Sequence, residues 1–383
     1  MVALSLLGAT GSIGRQTLDV CRWQPELKVT AMTGGRDWQS LAAAAREWQP
    51  EMVAIADVEA YAPLREALAD LPIQVEAGSE ALKLAASWPG ADTVLSAISG
   101  MAGLPPLFAA IAAGKNIALA NKEALVAGGA LVMERIAQAG VKLAPVDSEH
   151  SALWQCLAGE DPEQVAQLIL TASGGAFRDL SLAELEQVTA AQALRHPNWR
   201  MGEKITIDCA TMVNKGLEVI EAHWLFGVDY SRIQILVHRE SIIHSMVAFQ
   251  DGSIKAQLAQ ADMRLPIQYA LMKRQRPATP VAPPNLAALG QLHFAEPDFE
   301  RFPGLAAMVE AGKRGGTAPA YLNGANEVLN LAFRQGRISF TALGLTLGRL
   351  LADYREQAAD SEAAIYQSDR QGREDAAAAL GFS

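Results

Sequence analysis

Three short segments between residues 144 and 218 hold acidic and polar side chains that could share one metal ion. They read Ala-Pro-Val-Asp-Ser-Glu-His, Arg-His-Pro-Asn-Trp-Arg-Met-Gly and Asp-Cys-Ala-Thr-Met-Val-Asn-Lys-Gly-Leu-Glu. Asp147 and Glu149 stand two apart after an apolar run, so a strand would point both carboxylates to one side. Asn214 and Glu218 stand four apart, which places them on one face of an expected helix.

A cage of converging carboxylates favours a hard divalent cation. Asp147, Glu149 and Glu218 offer oxygen ligands, which suit Mg²⁺ or Mn²⁺ better than zinc. The same segments add donors for an anionic, oxygen-rich substrate: Ser148, His196 and Lys215. Together they predict a metal-dependent site for such a substrate.

A glycine-rich turn near the N-terminus has the features of a dinucleotide site. Gly-Ala-Thr-Gly-Ser-Ile-Gly, residues 8–14, follows an apolar run and precedes a helix-like segment. Glycines let the backbone approach a pyrophosphate, which rests on amides at the helix N-terminus, and Thr10 and Ser12 add hydroxyl donors. The spacing differs from the commoner Gly-x-Gly-x-x-Gly, so a turn that serves packing alone is the alternative.

The end of the second predicted strand favours NADP over NAD. An NAD site would place an acid there for the ribose 2′-hydroxyl, whereas this chain has Gly35 and then Arg36. A guanidinium is a good partner for a 2′-phosphate. Asp37 could turn outward or contact the adenosine.

Polar residues also follow a later predicted strand, where a parallel sheet faces its ligand. Asn121 could meet the nicotinamide ribose, and Lys122 would point toward the substrate. Glu123 is also compatible with a simple helix N-terminus, because an acid there interacts favourably with the helix dipole.

The composition fits a globular chain of more than one domain. Its 383 residues are 50% hydrophobic and 19% charged. The net charge of −10 argues against nucleic acid or a membrane surface as partners, so phosphate groups must be held by local sites. The scattered cysteines and the absence of a basic n-region at the N-terminus predict a cytoplasmic protein.

The pattern along the chain predicts an α/β fold in four regions. Strand–helix alternation over residues 1–146 predicts a Rossmann-like, doubly wound parallel sheet that binds the nucleotide. Residues 147–276 are expected to form a central α+β catalytic domain on an antiparallel or mixed sheet. Recurrent prolines predict that residues 277–304 form a linker. Residues 305–383 are expected to form a C-terminal helical bundle.

Individual elements are predicted from hydrophobic runs and their breaks. The predicted strands are residues 2–7, 28–32, 52–55, 73–76, 93–96, 116–119, 141–144, 205–208, 234–238, 246–249 and 254–258. A Gln-Asp-Gly-Ser turn should join the last two strands as a hairpin. The predicted helices are residues 41–48, 63–68, 106–113, 124–138, 305–311, 318–335, 339–357 and 374–380.

Six motifs run in order along nearly the whole chain. They are Gly-Ala-Thr-Gly-Ser-Ile-Gly, Leu-Ala-Asn-Lys-Glu, Pro-Val-Asp-Ser-Glu-His, Ser-Gly-Gly-Ala-Phe-Arg, Arg-His-Pro-Asn-Trp-Arg-Met-Gly and Ala-Thr-Met-Val-Asn-Lys-Gly-Leu-Glu. This set resembles the 1-deoxy-D-xylulose 5-phosphate reductoisomerase family. The resemblance implies an NADPH-dependent enzyme of the non-mevalonate isoprenoid route. It would break and rejoin the substrate carbon chain in retro-aldol and aldol steps, then reduce the branched aldehyde to 2-C-methyl-D-erythritol 4-phosphate.

The resemblance also implies a role for each matching residue. The metal ligands would be Asp147, Glu149 and Glu218. The substrate contacts would be Lys122, Ser148, Glu149, Ser173, His196, Cys209, Asn214, Lys215 and Glu218. The NADPH site would be lined by Thr10, Gly11, Ser12, Ile13, Gly35, Arg36, Asp37, Asn121, Glu123 and Gly202. The catalytic residues would be Lys122, Glu149 and His196.

Other features of the family are carried over with alternatives. The metal would be Mg²⁺ or Mn²⁺, with Co²⁺ as a further candidate, and the family is usually a homodimer. Lys122, Glu149 or a metal-bound water could shuttle the proton, and Trp199 could cover the substrate or simply anchor its loop. Cys209 stands where the family has a phosphate-contacting serine, and a thiol is a weaker donor. Asp208 is interpreted as a cap of the following helix.

Two other functions compete with this interpretation. An NADP-dependent semialdehyde dehydrogenase would need a thiol nucleophile with a basic partner, a setting that Cys156 and Cys209 lack. A nucleotide-sensing protein without activity would have no need of an intact carboxylate cage. An assay of NADPH oxidation with the sugar phosphate, with and without a chelator, separates the three.

Overall fold

The computed structural model describes residues 1–195, 199 and 201–381. The chain folds into two compact units. The first comprises Met1–Ala124, Val132–Ser151 and Asp262–Ala282. The second comprises Leu125–Leu131, Ala152–Ala261 and Pro283–Ser383.

The described residues form the following elements in chain order. The strands are β1 (Val2–Leu7), β2 (Leu27–Gly34), β3 (Met52–Ile55), β4 (Gln74–Ala77), β5 (Thr93–Ser96), β6 (Asn116–Leu119), β7 (Leu143–Pro145), β8 (Val165–Ala172), β9 (Ile233–Val237), β10 (Ile243–Phe249) and β11 (Ile254–Leu258). The helices are α1 (Ser12–Trp23), α2 (Trp38–Trp48), α3 (Tyr61–Ala67), α4 (Ser79–Ala86), α5 (Leu104–Ala112), α6 (Lys122–Ala139), α7 (Ser148–Cys156), α8 (Leu182–Leu185), α9 (Ala190–Ala193), α10 (Glu203–Ala210), α11 (Val213–Phe226), α12 (Arg264–Leu271), α13 (Leu286–Leu289), α14 (Pro303–Arg314), α15 (Ala318–Arg334), α16 (Phe340–Asp353) and α17 (Glu362–Ala379).

The first unit is built on a parallel sheet with the strand order β4-β3-β2-β1-β5-β6-β7. Strands β3 and β5 are buried along their whole length, as expected when helices cover both faces of a parallel sheet. The predicted doubly wound sheet is therefore confirmed. Its strand order reverses between β1 and β5, and ligands of such sheets bind outside the carboxyl ends of the strands near that point.

A late segment of the chain returns to complete this first unit. Helix α12 packs against α1, and their contact is polar as well as apolar. The Gln268 side-chain oxygen accepts hydrogen bonds from the Trp23 indole at 2.9 Å and from the Gln24 amide at 3.0 Å. The same Gln24 amide donates to the Ala278 carbonyl at 2.9 Å, which fastens the residues that follow α12.

The second unit contains a mixed sheet, as predicted, and its strand order is β11-β10-β8-β9. Strand β8 was not among the predicted strands. Strands β8 and β9 are parallel and the other pairs antiparallel. The predicted hairpin is confirmed, since the Phe249 amide donates to the Ser253 carbonyl at 2.9 Å across the turn. One face of the sheet contributes Leu168, Leu170 and Val247 to a core shared with the C-terminal helices.

Three predicted elements need correction. Residues 205–208 lie in helix α10 and not in a strand, although Ile205 and Ile207 alternate with polar residues. Gly202 and the first-turn acid Glu203 begin this helix favourably, and its buried face decides the conformation. The proline-rich linker contains the single-turn helix α13 and a bridge from Ala295 to Val237, and α17 begins twelve residues earlier than predicted.

Within the part of the chain that is described, every helix is too short or too polar to span a bilayer.

Candidate functional site

The turn between β1 and α1 holds its backbone unusually close to neighbouring strands. Gly8 has a φ of +89°, and its amide donates to the Thr33 hydroxyl at 2.9 Å. A Cβ added at Gly14 would lie 2.2 Å from the Gly8 carbonyl oxygen, so only glycine fits there. Gly11 is the N-cap of α1 and offers no side-chain acceptor to the first amides of the helix. Thr10, Ser12 and Ile13 line this turn, whose geometry suits a pyrophosphate.

The end of β2 presents an exposed guanidinium beside an open glycine. Nothing lies within 4 Å of a Cβ added at Gly35. The Arg36 side chain is 90% exposed, and its Nε lies 2.8 Å from an Asp57 carboxylate oxygen. Asp37 caps helix α2 by accepting the Ser40 amide at 3.0 Å, and hydrogen bonds from Ser40 lower the pKa of the Asp37 carboxyl. The Asp37 carboxylate is therefore directed to its own helix.

Asn121 fixes the start of α6 at the carboxyl end of β6. Its side-chain oxygen accepts the Ala124 amide at 2.7 Å, and its amide donates to the carbonyls of Ile98 and Gly100. Its side-chain amide thus ties two loops of the sheet edge together. The next two residues, Lys122 and Glu123, are buried in the first turn of the helix.

Asp147 and Glu149 lie at the start of a helix, so the expectation that a strand orients them is wrong. Strand β7 ends at Pro145, and the Glu149 amide donates to the Asp147 carboxylate at 3.1 Å. An aspartate followed by a first-turn glutamate is a helix-start signal, and here it outweighs the apolar run before it. Carboxylate oxygens of the two residues nevertheless lie within 4.8 Å of each other. The Ser148 hydroxyl donates to Glu149 at 2.5 Å.

Two cationic or titratable groups compensate the charge of Asp147. The Lys122 Nζ lies 2.8 Å from one carboxylate oxygen, and the His150 Nδ1 lies 3.1 Å from the other. Burial alone would raise the pKa of Asp147, but Lys122 and His150 hold it well below its usual range. His150 had no predicted role, although its position three residues after Asp147 on a helix could have indicated the contact.

In the second unit, the predicted helix face of α11 is confirmed. The Asn214 amide donates to a Glu218 carboxylate oxygen at 2.5 Å, and the Lys215 ammonium pairs with the other oxygen. All three side chains are buried. Such burial requires the carboxylate to be compensated, and Lys215 provides this.

The loop after β8 packs directly on the backbone that carries Cys209. A Cβ added at Gly175 would lie 2.5 Å from the Cys209 carbonyl oxygen, and Gly175 has a φ of +69°. The Ser173 hydroxyl accepts the Gly175 amide at 3.2 Å. Ser173 and Cys209, which the motifs assign to one substrate, are thus attached to segments in contact. Cys209 itself is partly exposed.

Strand β10 of the second unit carries a buried histidine, His244, that had no predicted role. Burial lowers the pKa of His244 to about 4, and the nearby charges of His238 and Lys215 act in the same direction. Its ring centroid lies 5.9 Å from that of Trp199. The histidine is therefore neutral near pH 7, and the aromatic residue predicted on the substrate loop lies against it.

The remaining predicted residues are placed as follows. Gly202 is the N-cap of α10. His196 falls outside the described residues, and its role stays a prediction. Asp208 does not cap α11, whose N-cap is Met212; its carboxylate instead bonds to helix α15.

Comparison with known proteins gives consistent matches along the chain. Family models described as 1-deoxy-D-xylulose 5-phosphate reductoisomerase and as its C-terminal domain match residues 4–129 and 143–226, and one described as DXP reductoisomerase C-terminal domain matches residues 258–375. The 1-deoxy-D-xylulose 5-phosphate reductoisomerase of Geobacillus kaustophilus (strain HTA426) is 53% identical over 358 residues, 93% of each chain.

Solved structures agree. The 1-deoxy-D-xylulose 5-phosphate reductoisomerase from Zymomonas mobilis in complex with NADPH superposes with a TM-score of 0.93 at 43% identity, over 99% of both chains. A DOX-P reductoisomerase in complex with NADPH, fosmidomycin and magnesium superposes with a TM-score of 0.95 at 38% identity, over 100% of this chain and 98% of that one.

The depressed pKa of His244 predicts an acid-sensitive second unit. The unfolded chain takes up a proton near pH 6.5, whereas the folded chain does so only near pH 4. Stability from this residue is therefore complete above pH 6.5 and declines as the pH falls toward 4, by about 3 kcal/mol in total. Urea unfolding at a series of pH values should show a shallower decline for His244→Gln than for the unsubstituted chain. Parallel curves for the two proteins would contradict this assignment.

Proposed function

This chain belongs to the 1-deoxy-D-xylulose 5-phosphate reductoisomerase family, and we infer that it converts 1-deoxy-D-xylulose 5-phosphate to 2-C-methyl-D-erythritol 4-phosphate in isoprenoid biosynthesis. It is an NADP-dependent oxidoreductase that uses NADPH and a divalent metal such as Mg²⁺. The observation that carries this conclusion is the identity of about half the residues over nearly the full length of a curated relative.

We propose that residues 1–146 hold the nucleotide at the carboxyl edge of the parallel sheet. The turn formed by Gly8–Gly14 supports this, because a side chain at Gly14 would fill the space that brings the backbone close. The Arg36 guanidinium is exposed, so the 2′-phosphate can compete with the Asp57 carboxylate for it. The proposed contacts in these residues are Thr10, Gly11, Ser12, Ile13, Gly35, Arg36, Asp37, Asn121 and Glu123. Gly202, the N-cap of α10, is proposed as a further contact.

We propose that Asp147, Glu149 and Glu218 bind the divalent ion. Each residue offers hard carboxylate oxygens. Those of Asp147 and Glu149 already lie close together. The low pKa of Asp147 keeps its carboxylate ionised. When bound, the ion would polarise the substrate carbonyl and stabilise negative charge that develops on its oxygen.

The chain's own residues supply orientation and charge. Lys215 and Asn214 present an ammonium and an amide, and Ser173 and Cys209 present a hydroxyl and a thiol, for the phosphate of the substrate. Binding energy from this remote group orients the reacting carbons for carbon–carbon bond cleavage and recombination. Lys122, whose ammonium bonds Asp147, would stand beside those carbons, and Trp199 would exclude water.

The function predicts a strict dependence on both the cation and Glu218. With 1-deoxy-D-xylulose 5-phosphate as substrate, the absorbance of NADPH should decrease. This decrease should stop when a chelator is added and resume when Mg²⁺ is added. Glu218→Gln should reduce kcat/KM by more than about a hundredfold, because it removes an anionic ligand, and leave NADPH binding intact. Glu356→Gln, which alters a glutamate paired with Arg314, is the control. Normal turnover by the Glu218→Gln protein would refute the proposal that Glu218 binds the metal. Absence of turnover by the unsubstituted chain would refute the proposed function.

Arg36 is expected to determine the preference for NADPH. Arg36→Ala should raise the KM for NADPH about tenfold or more and leave the KM for NADH nearly unchanged, since only the first carries the 2′-phosphate. Arg46→Ala is a matched control, because Arg46 is also exposed and paired with an aspartate. Equal changes for the two nucleotides would refute the role.

We propose that the chain assembles as a homodimer through the sheet of the second unit. Strand β11 is an edge strand of this sheet, and its Ile254 is 57% exposed. Exposed edge strands readily pair with a second chain. Sedimentation equilibrium should give twice the chain mass of 40.8 kDa, and a single-chain mass at every concentration would exclude the dimer.

A further inference from the structure

A buried carboxylate on α10 is tied to the C-terminal helices by an unusual set of polar bonds. Asp208 is 1% exposed. One of its oxygens accepts the side-chain amides of Asn326 at 2.9 Å and Asn330 at 2.8 Å, both fully buried on α15. The other oxygen lies 3.1 Å from the Lys204 ammonium. Asn326 and Asn330 stand four residues apart, so they share one face of their helix.

Asp208 stands where the chain turns from α10 into α11. Cys209 follows it directly, and Met212, with a φ of +61°, begins α11 in the left-handed conformation. The Asp208 carbonyl accepts the Thr211 hydroxyl at 3.2 Å, which ties this turn to the same residue. Two residues of α11 that are proposed to bind phosphate, Asn214 and Lys215, come within its first turn.

The turn from α10 into α11, here called the α10–α11 corner, also supports the loop after β8 that carries Ser173. Gly175 packs so closely on the Cys209 carbonyl that a displacement of the end of α10 must displace this loop too. The position of Asp208 therefore determines the position of Ser173, Cys209 and the start of α11 together.

A buried ionic network is a poor way to gain stability. Apolar residues of the same volume usually stabilise a helix interface as well or better, because charged groups must be desolvated. Networks of this kind instead select one arrangement of the groups that they join, since each bond fails when the geometry shifts. This argues for a role in placement.

We propose that Asp208 is a positioning residue for the phosphate end of the substrate, acting through the α10–α11 corner. This inference rests on the proposed function, which assigns Cys209, Asn214 and Lys215 to that phosphate. The residue itself makes no contact with substrate in this proposal. It holds the phosphate-binding groups in register by anchoring them to α15.

The test compares two aspartates that both bond to α15. Asp208→Asn keeps the shape and one acceptor oxygen for the Asn326 and Asn330 amides, but it removes the negative charge and turns an amide donor toward the Lys204 ammonium. We expect the KM for the sugar phosphate, and the inhibition constant of inorganic phosphate as a competitive probe, to rise at least tenfold. The kcat should change less than twofold and NADPH affinity should stay the same. Asp369→Asn removes the charge of a buried aspartate on α17 that accepts hydrogen bonds from Asn323 and Arg373, and it should leave all these constants unchanged.

Rescue separates positioning from general loss of structure. The double substitution Asp208→Asn with Asn326→Asp returns a carboxylate to the same cluster and should restore the KM to within threefold of the original. If Asp208→Asn does not fold, Asn330→Ala, which removes one of the two amide donors, should still raise the KM and the phosphate constant severalfold.

Two results would overturn the inference. One is an unchanged KM in a folded Asp208→Asn or Asn330→Ala protein. The other is a change in Asp369→Asn equal to that in Asp208→Asn, which would show general destabilisation. Absence of turnover by the unsubstituted chain would instead defeat the proposed function, so the two failures are distinguishable.

Discussion

The ion pair between Lys122 and Asp147 is the interaction on which the part of the candidate site in the first unit depends. The partly buried carboxylate of Asp147 loses some of its hydration, which alone would favour the protonated, neutral form. The ammonium at 2.8 Å reverses that preference and keeps the oxygens anionic. The second unit repeats the arrangement with Lys215 and Glu218, and again with Lys204 and Asp208. A metal ion that binds the carboxylate oxygens of Asp147 and Glu218 must therefore balance their negative charge better than Lys122 and Lys215 already do.

Local sequence spacing determined the parts of the site that could be predicted. Asn214 and Glu218 lie on one face of a helix because four residues separate them, and that relation needs no knowledge of the rest of the fold. The glycine turn before α1 is local in the same sense. Asp147 and Glu149 were placed on the wrong element, since the apolar run that indicates a strand ends just before a helix start.

The contacts that were missed join residues far apart in the chain. Asn326 and Asn330 meet Asp208 across more than a hundred residues, and nothing in either segment alone reveals the pairing. Residues 205–208 alternate as a strand would, but the burial of α10 against α15 overrides that preference. In contrast, central strands of the parallel sheet such as β3 and β5 were predicted closely, because burial on both faces makes them short, continuous apolar runs.

The return of α12 to the first unit has a consequence for synthesis of the chain. Its contacts through Gln268 and Ala278 cannot form until the ribosome has made residues 152–261, which belong to the other unit. At about 5–20 residues per second, this delay is roughly ten seconds. During that interval the nascent parallel sheet and its helices leave the surface of α1 that α12 later covers exposed to solvent.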